Sequence, residues 1–212
     1  MFSEILDQKR KELIQKLAFL DKFGFYLAGG TALALQMGHR TSVDFDFYSK
    51  KKFDADELLF QLKKVGNLEV FMNRENTLGL LTKNGIEMTF FKYPYPLIRQ
   101  PKKFEKIKVA SVEDIAAMKI AAVIQRGTKR DFVDIYYLIK KYSLEHILGW
   151  TQEKYPQISL LLSLKGLIYF QDAENDHKSE TRIRIFDKNF NWKEAKKYIE
   201  KQAFDFQKKL KK

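Results

Sequence analysis

The chain has no cysteine, four prolines, ten glycines and three histidines among 212 residues. Without cysteine there is no disulfide framework, no thiolate zinc site and no thiol nucleophile. The three histidines (His39, His146, His177) are scattered, which leaves no obvious imidazole cage for a metal. So few glycines and prolines exclude fibrous and low-complexity classes. No apolar run approaches the ~18 residues that span a bilayer; the longest, 158–170, carries Lys165. The N-terminal MFSEILDQKRKEL is charged every few residues and has no apolar signal-peptide core. The expectation is a cytoplasmic protein without a membrane association.

What is present is a core and a charge. Hydrophobic residues make up 45% and aromatics 14%, enough to exclude disorder as the main state. Lysine plus arginine number 39 against 27 acids, a formal net charge of +12. A surplus of that size attracts polyanions, and nucleic acid is the first candidate partner.

Patterning predicts an amphipathic helix over 3–21, a short strand over 24–28 and a short helix after Gly29-Gly30 capped by Thr31. An alternating strand follows over 43–49, then a helix opened by the capping box Asp54-x-x-Glu57. Strands are expected at 68–74, 77–83 and 86–93, the last two joined by Asn84-Gly85, a hairpin signal in which both turn residues take positive φ. The Pro- and Lys-rich stretch 93–109 marks the change from a mixed α/β half to a helical half. Helices are expected from Ser111 to Arg126, from Asp131 to Lys141, after Ser143, over 157–169 and from Asn191 onward, with an exposed loop over 171–180. The chain thus reads as α+β, a mixed sheet with flanking helices in residues 1–95 followed by a helical lobe in 96–212.

Chemistry concentrates in LAGGTALALQMGHRTSVDFDF (27–47). Gly29 and Gly30 allow a tight turn and close backbone approach, and the helix after them presents free N–H groups to phosphate. Asp44 and Asp46 are i, i+2 on a strand, so both carboxylates share one face while Val43, Phe45 and Phe47 point to the core. Two like charges side by side call for a cation; Mg²⁺ takes oxygen ligands and shares its shell with substrate phosphates. That reads as a site for phosphoryl or nucleotidyl transfer. Arg40 is placed to neutralise phosphate charge, against a plain surface cation; Ser42 to bond a phosphate oxygen or brace Asp44, against a turn hydroxyl. His39 reads as a structural imidazole.

Gly-Gly-Thr, a helix, then Gly-His-Arg-x-Ser-x-Asp-x-Asp-Phe resembles the nucleotidyltransferase superfamily, and most closely the AbiEii/AbiGii-type abortive-infection toxins. The second block, DIAAMKIAAVIQRGTKRDFVDIYYL (114–138), resembles that family's Lys-x6-Arg helix and its Arg-Asp-x-x-Asp signature, and YPYPL (93–97) resembles its inter-lobe segment. The resemblance implies a nucleotidyltransferase-like fold and an activity of EC 2.7.7 class: Mg²⁺-dependent transfer of a nucleotide from an NTP to an acceptor, the tRNA 3′ end in some members, and a DNA-binding antitoxin as partner. By position it implies a phosphate turn at Gly29, Gly30 and Thr31, a metal pair at Asp44 and Asp46, and a triphosphate contact at Lys119, with Arg126 as a second cation. It implies a second acidic motif at Asp131 and Asp134, which assists the acceptor hydroxyl or orients Lys119 or Arg126. Many relatives carry a third carboxylate on a later strand. Here that position holds Thr89, and Glu87, two residues earlier on the same face, is the candidate substitute.

Residues 92–108 carry six Lys/Arg against Glu105, interleaved with Tyr93, Tyr95 and Phe104, a mixture suited to phosphate contact and base stacking. Residues 193–212 carry eight Lys against three acids. The leading expectation is a Mg²⁺-dependent nucleotidyltransferase toxin acting on RNA. The alternative is a non-catalytic nucleotide- or RNA-binding protein on the same fold, motivated by Thr89.

Overall fold

The structure is a computed structural model that describes residues 1–176 and 183–210. The chain forms two compact units, Met1–Ser111 and Val112–Lys212.

The first unit is built on a seven-stranded mixed sheet of order β3-β4-β5-β2-β1-β7-β6. Its strands are β1 (Tyr26–Ala28), β2 (Phe45–Ser49), β3 (Leu68–Arg74), β4 (Thr77–Thr82), β5 (Glu87–Lys92), β6 (Lys102–Phe104) and β7 (Ile107–Val109). Its helices are α1 (Gln8–Lys16), α2 (Gly29–Met37) and α3 (Ala55–Lys63). β2 lies antiparallel to β1 and parallel to β5. Alternation in β2 buries Phe45, Phe47 and Ser49 and leaves Asp46 and Tyr48 half-buried. The buried rings pack on each other: Phe47 stacks on Phe90 at 5.2 Å and Phe25 meets Phe90 edge-on at 5.3 Å.

The second unit is helical: α4 (Val112–Gln125), α5 (Lys129–Tyr142), α6 (Leu144–Lys154), α7 (Leu160–Ile168), the single turn α8 (Gln171–Glu174) and α9 (Trp192–Leu210). Asn191 caps α9, its side chain accepting from the Glu194 amide at 3.1 Å.

Five sequence expectations differ from the fold. The helix expected over 3–21 is interrupted: 3₁₀ turns cover Ser3–Ile5 and Ala18–Asp21, and only Gln8–Lys16 is α-helical, capped by Asp7. Thr31 is no N-cap; α2 starts at Gly29 and Thr31 lies inside it. The Asn84-Gly85 turn places only Gly85 at positive φ (+75°). Thr82 accepts from the Gly85 amide at 2.8 Å, and its own amide donates to the Ile86 carbonyl at 3.0 Å, a three-residue loop of the kind that ends in a left-handed residue. The compact units divide after residue 111, not after 95, because 96–111 contribute β6 and β7 to the sheet edge. The loop expected over 171–180 starts as the turn α8; its residues 177–180 lie outside the described residues.

Candidate functional site

In the first unit, the C-terminal end of β1 and the N-terminal end of β2 meet at one end of two neighbouring interior strands, where Ala28 pairs with Asp46. The chain turns from β1 into α2 at Gly29, with φ +66°. A Cβ at Gly29 would stand 2.8 Å from Asp46 Oδ2, so the glycine keeps open the space against that oxygen. A Cβ at Gly30 would stand 2.6 Å from Arg40 Nη2 and 3.4 Å from Ser42 Oγ. Gly29, Gly30, Arg40, Ser42 and Asp46 therefore form one neighbourhood.

Asp46 sits inside β2 and Asp44 one residue before it begins, both half-buried. Asp46 Oδ1 accepts from the Thr89 hydroxyl at 2.5 Å, across the parallel β2–β5 ladder that pairs the two residues. The position expected for a third carboxylate is thus a donor that holds Asp46. Carrying the same register one residue back from the Phe45–Met88 pair sets Glu87 beside Asp44.

The loop leading into β2 is fixed by side chains. The Thr31 hydroxyl donates to the Asp44 carbonyl and lies 2.8 Å from Ser42 Oγ. Threonine has one hydroxyl proton and a carbonyl only accepts, so Ser42 donates to Thr31 in turn. Arg10 of α1 donates from Nε to the Val43 carbonyl at 2.8 Å and pairs with Asp7. Arg40 Nη1 donates to the Thr41 carbonyl at 2.9 Å. Arg40 is 2% exposed, so it is an interior guanidinium bracing this loop against Gly30 rather than a surface cation. Arg10 escaped sequence reading, since nothing in a Lys/Arg-rich helix marks which cation turns inward. His39 is buried, in keeping with a structural imidazole.

In the second unit, the family-type second block forms α4 and α5. Lys119, 7% exposed, lies between Asp131 and Asp134 at 2.7 Å from each. Both acids face it because i, i+3 on α5 is one helix face. The Thr128 hydroxyl donates to Asp131 Oδ2 at 2.6 Å, and Arg126, largely exposed just past α4, approaches that oxygen at 4.0 Å. Burial alone pushes the Asp131 carboxyl up. The Lys119 ammonium, the hydrogen bonds from Lys119 and Thr128 and the Arg126 charge outweigh burial and hold it below its ordinary value of 3.8. Lys119 and Arg126 thus converge on Asp131.

A second ion pair on α4 had no sequence signal. Lys154 of α6 meets Asp114 at 2.7 Å, both side chains fully buried. Burial pushes Tyr137, which faces Asp187 at 3.4 Å, well above the ordinary tyrosine range, and the Asp187 charge adds to the shift.

The basic segment 92–108 is partly spoken for. Tyr93 packs on Tyr48 at 5.1 Å and on Tyr95 at 5.0 Å, and Lys108 pairs with Asp21 at 2.5 Å. Lys102, Lys103 and Lys106 project from the β6–β7 hairpin as exposed residues.

Among the described residues no group of three or more His, Asp or Glu converges on a metal position. Mg²⁺ asks for less: it is commonly bound by one or two carboxylates with the remaining positions taken by water and substrate phosphates. Asp44 and Asp46, with the gap over Gly29 kept clear at Asp46 Oδ2, fit that donor set. Among the described residues no helix is long and apolar enough to cross a membrane.

Residues 17–210 match the family model described as nucleotidyl transferase AbiEii toxin, type IV TA system. The chain is 37% identical over 178 residues to the uncharacterized protein aq_aa25 of Aquifex aeolicus, covering 81% of this chain and 86% of that one. The fold is similar to that of MenT4, nucleotidyltransferase toxin Rv2826c from Mycobacterium tuberculosis, with a TM-score of 0.62, 18% identity, and 93% and 82% of the two chains covered. It is also similar to JHP933 from Helicobacter pylori, with a TM-score of 0.60, 19% identity, and 97% and 95% covered.

Proposed function

We propose that this chain, which belongs to the AbiEii nucleotidyltransferase toxin family, transfers a nucleotide from an NTP to an RNA acceptor, with the tRNA 3′ end as the first candidate. Nucleotidyl transfer as the activity class follows from the family; the acceptor, the metal and the residue roles are our reading. The observation that carries them is the Asp46 carboxylate, held by Thr89 and facing the space that Gly29 keeps open.

In this reading Asp44 and Asp46 hold Mg²⁺, which when bound supplies positive charge against the triphosphate. The backbone N–H groups at the start of α2, behind Gly29 and Gly30, face phosphate oxygens. Thr31, Ser42, Arg40 and Arg10 fix the loop that presents the acids, so little reorganisation remains at the moment of reaction. An acceptor hydroxyl oxygen attacks the α-phosphorus in line; the new P–O bond forms as the bond to the β-phosphate bridge breaks and pyrophosphate leaves. The hydroxyl proton goes to a carboxylate, for which Glu87 beside Asp44 is the candidate. Lys119, Arg126, Asp131 and Asp134 enter through the family resemblance as the functional set of the helical unit. An antitoxin partner belongs to the same reading.

The test is a transfer assay with total tRNA, Mg²⁺ and each α-labelled NTP in turn, with Asp46→Ala in parallel. Label in tRNA that EDTA and Asp46→Ala both abolish supports the reading. Label that survives Asp46→Ala removes the metal pair from it, and absence of label with every NTP removes tRNA as the acceptor.

A further inference from the structure

We propose that a basic cleft in the sheet unit, between α1, the α3–β3 loop and the β4–β5 turn, binds the phosphodiester backbone of the acceptor RNA through Lys9, Lys16 and Lys83. The inference rests on transfer to RNA as proposed above, and names where the acceptor strand runs beyond the reacting end.

Position is the first ground. β2 and β5 are parallel, and β4 is antiparallel to β5, pairing Leu81 with Glu87. The turn after Thr82 therefore lies at the same end of the sheet as Asp44 and Glu87. β3 starts there too, since Leu68 pairs with Thr82. α1 is anchored to that end through Arg10 and the Val43 carbonyl. In sheet order the cleft lies past β5 toward β3, so Lys83 at the end of β4 is two strand spacings, about 10 Å, from β2.

Charge is the second ground. The cleft has a volume of about 150 Å³ and is lined by Lys9, Glu12, Leu13 and Lys16 from α1, and by Lys83 and Asn84 among others from the loops. Lys9, Glu12, Leu13 and Lys16 are i, i+3, i+4 and i+7, one face of α1, with the two lysines about 10 Å apart along the axis. Three lysines face one acid, and that acid already accepts from Gln8 at 3.0 Å. Lys9, Lys16 and Lys83 are exposed and make no ion pair with any described residue. Some surface cations find an acid, as Lys108 does with Asp21 and Lys196 with Glu174; in this cleft three that do not are brought together. The neighbouring cleft over α1 and the β6–β7 hairpin is lined by Lys11 against Glu12 and Glu105, so it offers a polyanion nothing.

Size is the third. Enclosed ligand sites run to about 300–1,000 Å³. This cleft is smaller and open, which suits a strand passing through with its phosphates down rather than a buried nucleotide.

The triphosphate of the NTP has the same chemistry as an RNA phosphate, so the experiment separates them. Lys9→Ala/Lys16→Ala/Lys83→Ala is compared with the parent protein in two titrations, one with total tRNA over a salt series and one with Mg²⁺–NTP. The RNA dissociation constant is expected to rise about 100-fold near 0.1 M salt, and the slope of log K against log salt to fall by about 2, at roughly 0.7 per lost contact on a single strand. Mg²⁺–NTP affinity is expected to stay within about twofold. Unchanged RNA affinity and slope in a variant with parental circular dichroism overturns the cleft and leaves RNA transfer standing. Loss of NTP affinity with RNA affinity intact reassigns the lysines to the triphosphate and also overturns it. A parent protein that binds no RNA removes the acceptor reading and the cleft with it.

Discussion

Asp44–Asp46 and Asp131–Asp134 are both pairs of acids close in sequence, and the two units treat them in opposite ways. The strand pair is half-buried, and its Asp46 accepts from a neutral hydroxyl, that of Thr89. The helix pair is fully buried and closes on a lysine between its two carboxylates. A carboxylate held by one hydroxyl, as Asp46 is by Thr89, keeps lone pairs for a cation from solution. Acids sealed around an ammonium are neutralised within the fold, so their first effect is on stability. A motif match weights both pairs alike; geometry does not.

The sharpest break between them is Asp46→Asn. Transfer is expected to fall more than about 100-fold, beyond the effect of losing an outer-shell partner, with the thermal midpoint unchanged; a shifted midpoint would mean that the pair is structural after all. Next come Lys119→Met and Lys154→Met. Each leaves buried carboxylate charge behind, and each is expected to cost about 3–5 kcal/mol in denaturant unfolding. Lys154 is the control, since it pairs with Asp114 on the same helix α4 and has no place in the family-type motif. If Lys154→Met keeps full transfer per folded molecule and Lys119→Met does not, the trio has a role beyond stability. Equal transfer by both would confine it to stability.

Thr89→Val removes the donor to Asp46 and little volume. It is expected to lower transfer by about 10–100-fold while changing stability by about 1 kcal/mol; parental transfer would leave Thr89 no part in holding the carboxylate. The smallest effect is on pH. Asp131 titrates below its ordinary value of 3.8 when folded. Its contribution to stability is therefore fully present above about pH 5 and is lost as pH falls through 3.8 and below. Acid unfolding followed by circular dichroism should show a shallower loss in Asp131→Asn, which has no such carboxyl to protonate; superimposable acid limbs would show that the Lys119 pairing does not lower this carboxyl.

Much of this was written in local pattern. Alternation in DFDFYS placed Asp46 on the polar side of β2, because the strand period is two and one face must meet the core. The Asn191 and Asp54 caps were legible because they are contacts within three residues. The Asn84-Gly85 dipeptide announced a turn but not its length, which depends on where the flanking strands pair. β6 and β7 went unseen: three residues each, flanked by Pro101 and carrying exposed lysines, they have too little alternation to register and exist because β1 offers an edge.

The sequence by itself determined the α+β class, the glycine turn, the facing of Asp46 in its strand and the family, since each depends on residue type and short-range spacing. Only the tertiary structure decided that Arg40 is interior, that Arg10 ties down the loop before Asp44, that Thr89 holds Asp46, and that Lys119 is enclosed by its acids while Lys9, Lys16 and Lys83 are left unpaired in one cleft. Those are properties of cations and hydroxyls on long or rotatable stems. Most of their partners lie beyond the reach of a helix turn or strand period, up to 43 residues away for Thr89 and Asp46, and local sequence carries no information about which charge will find another and which will be left for a ligand.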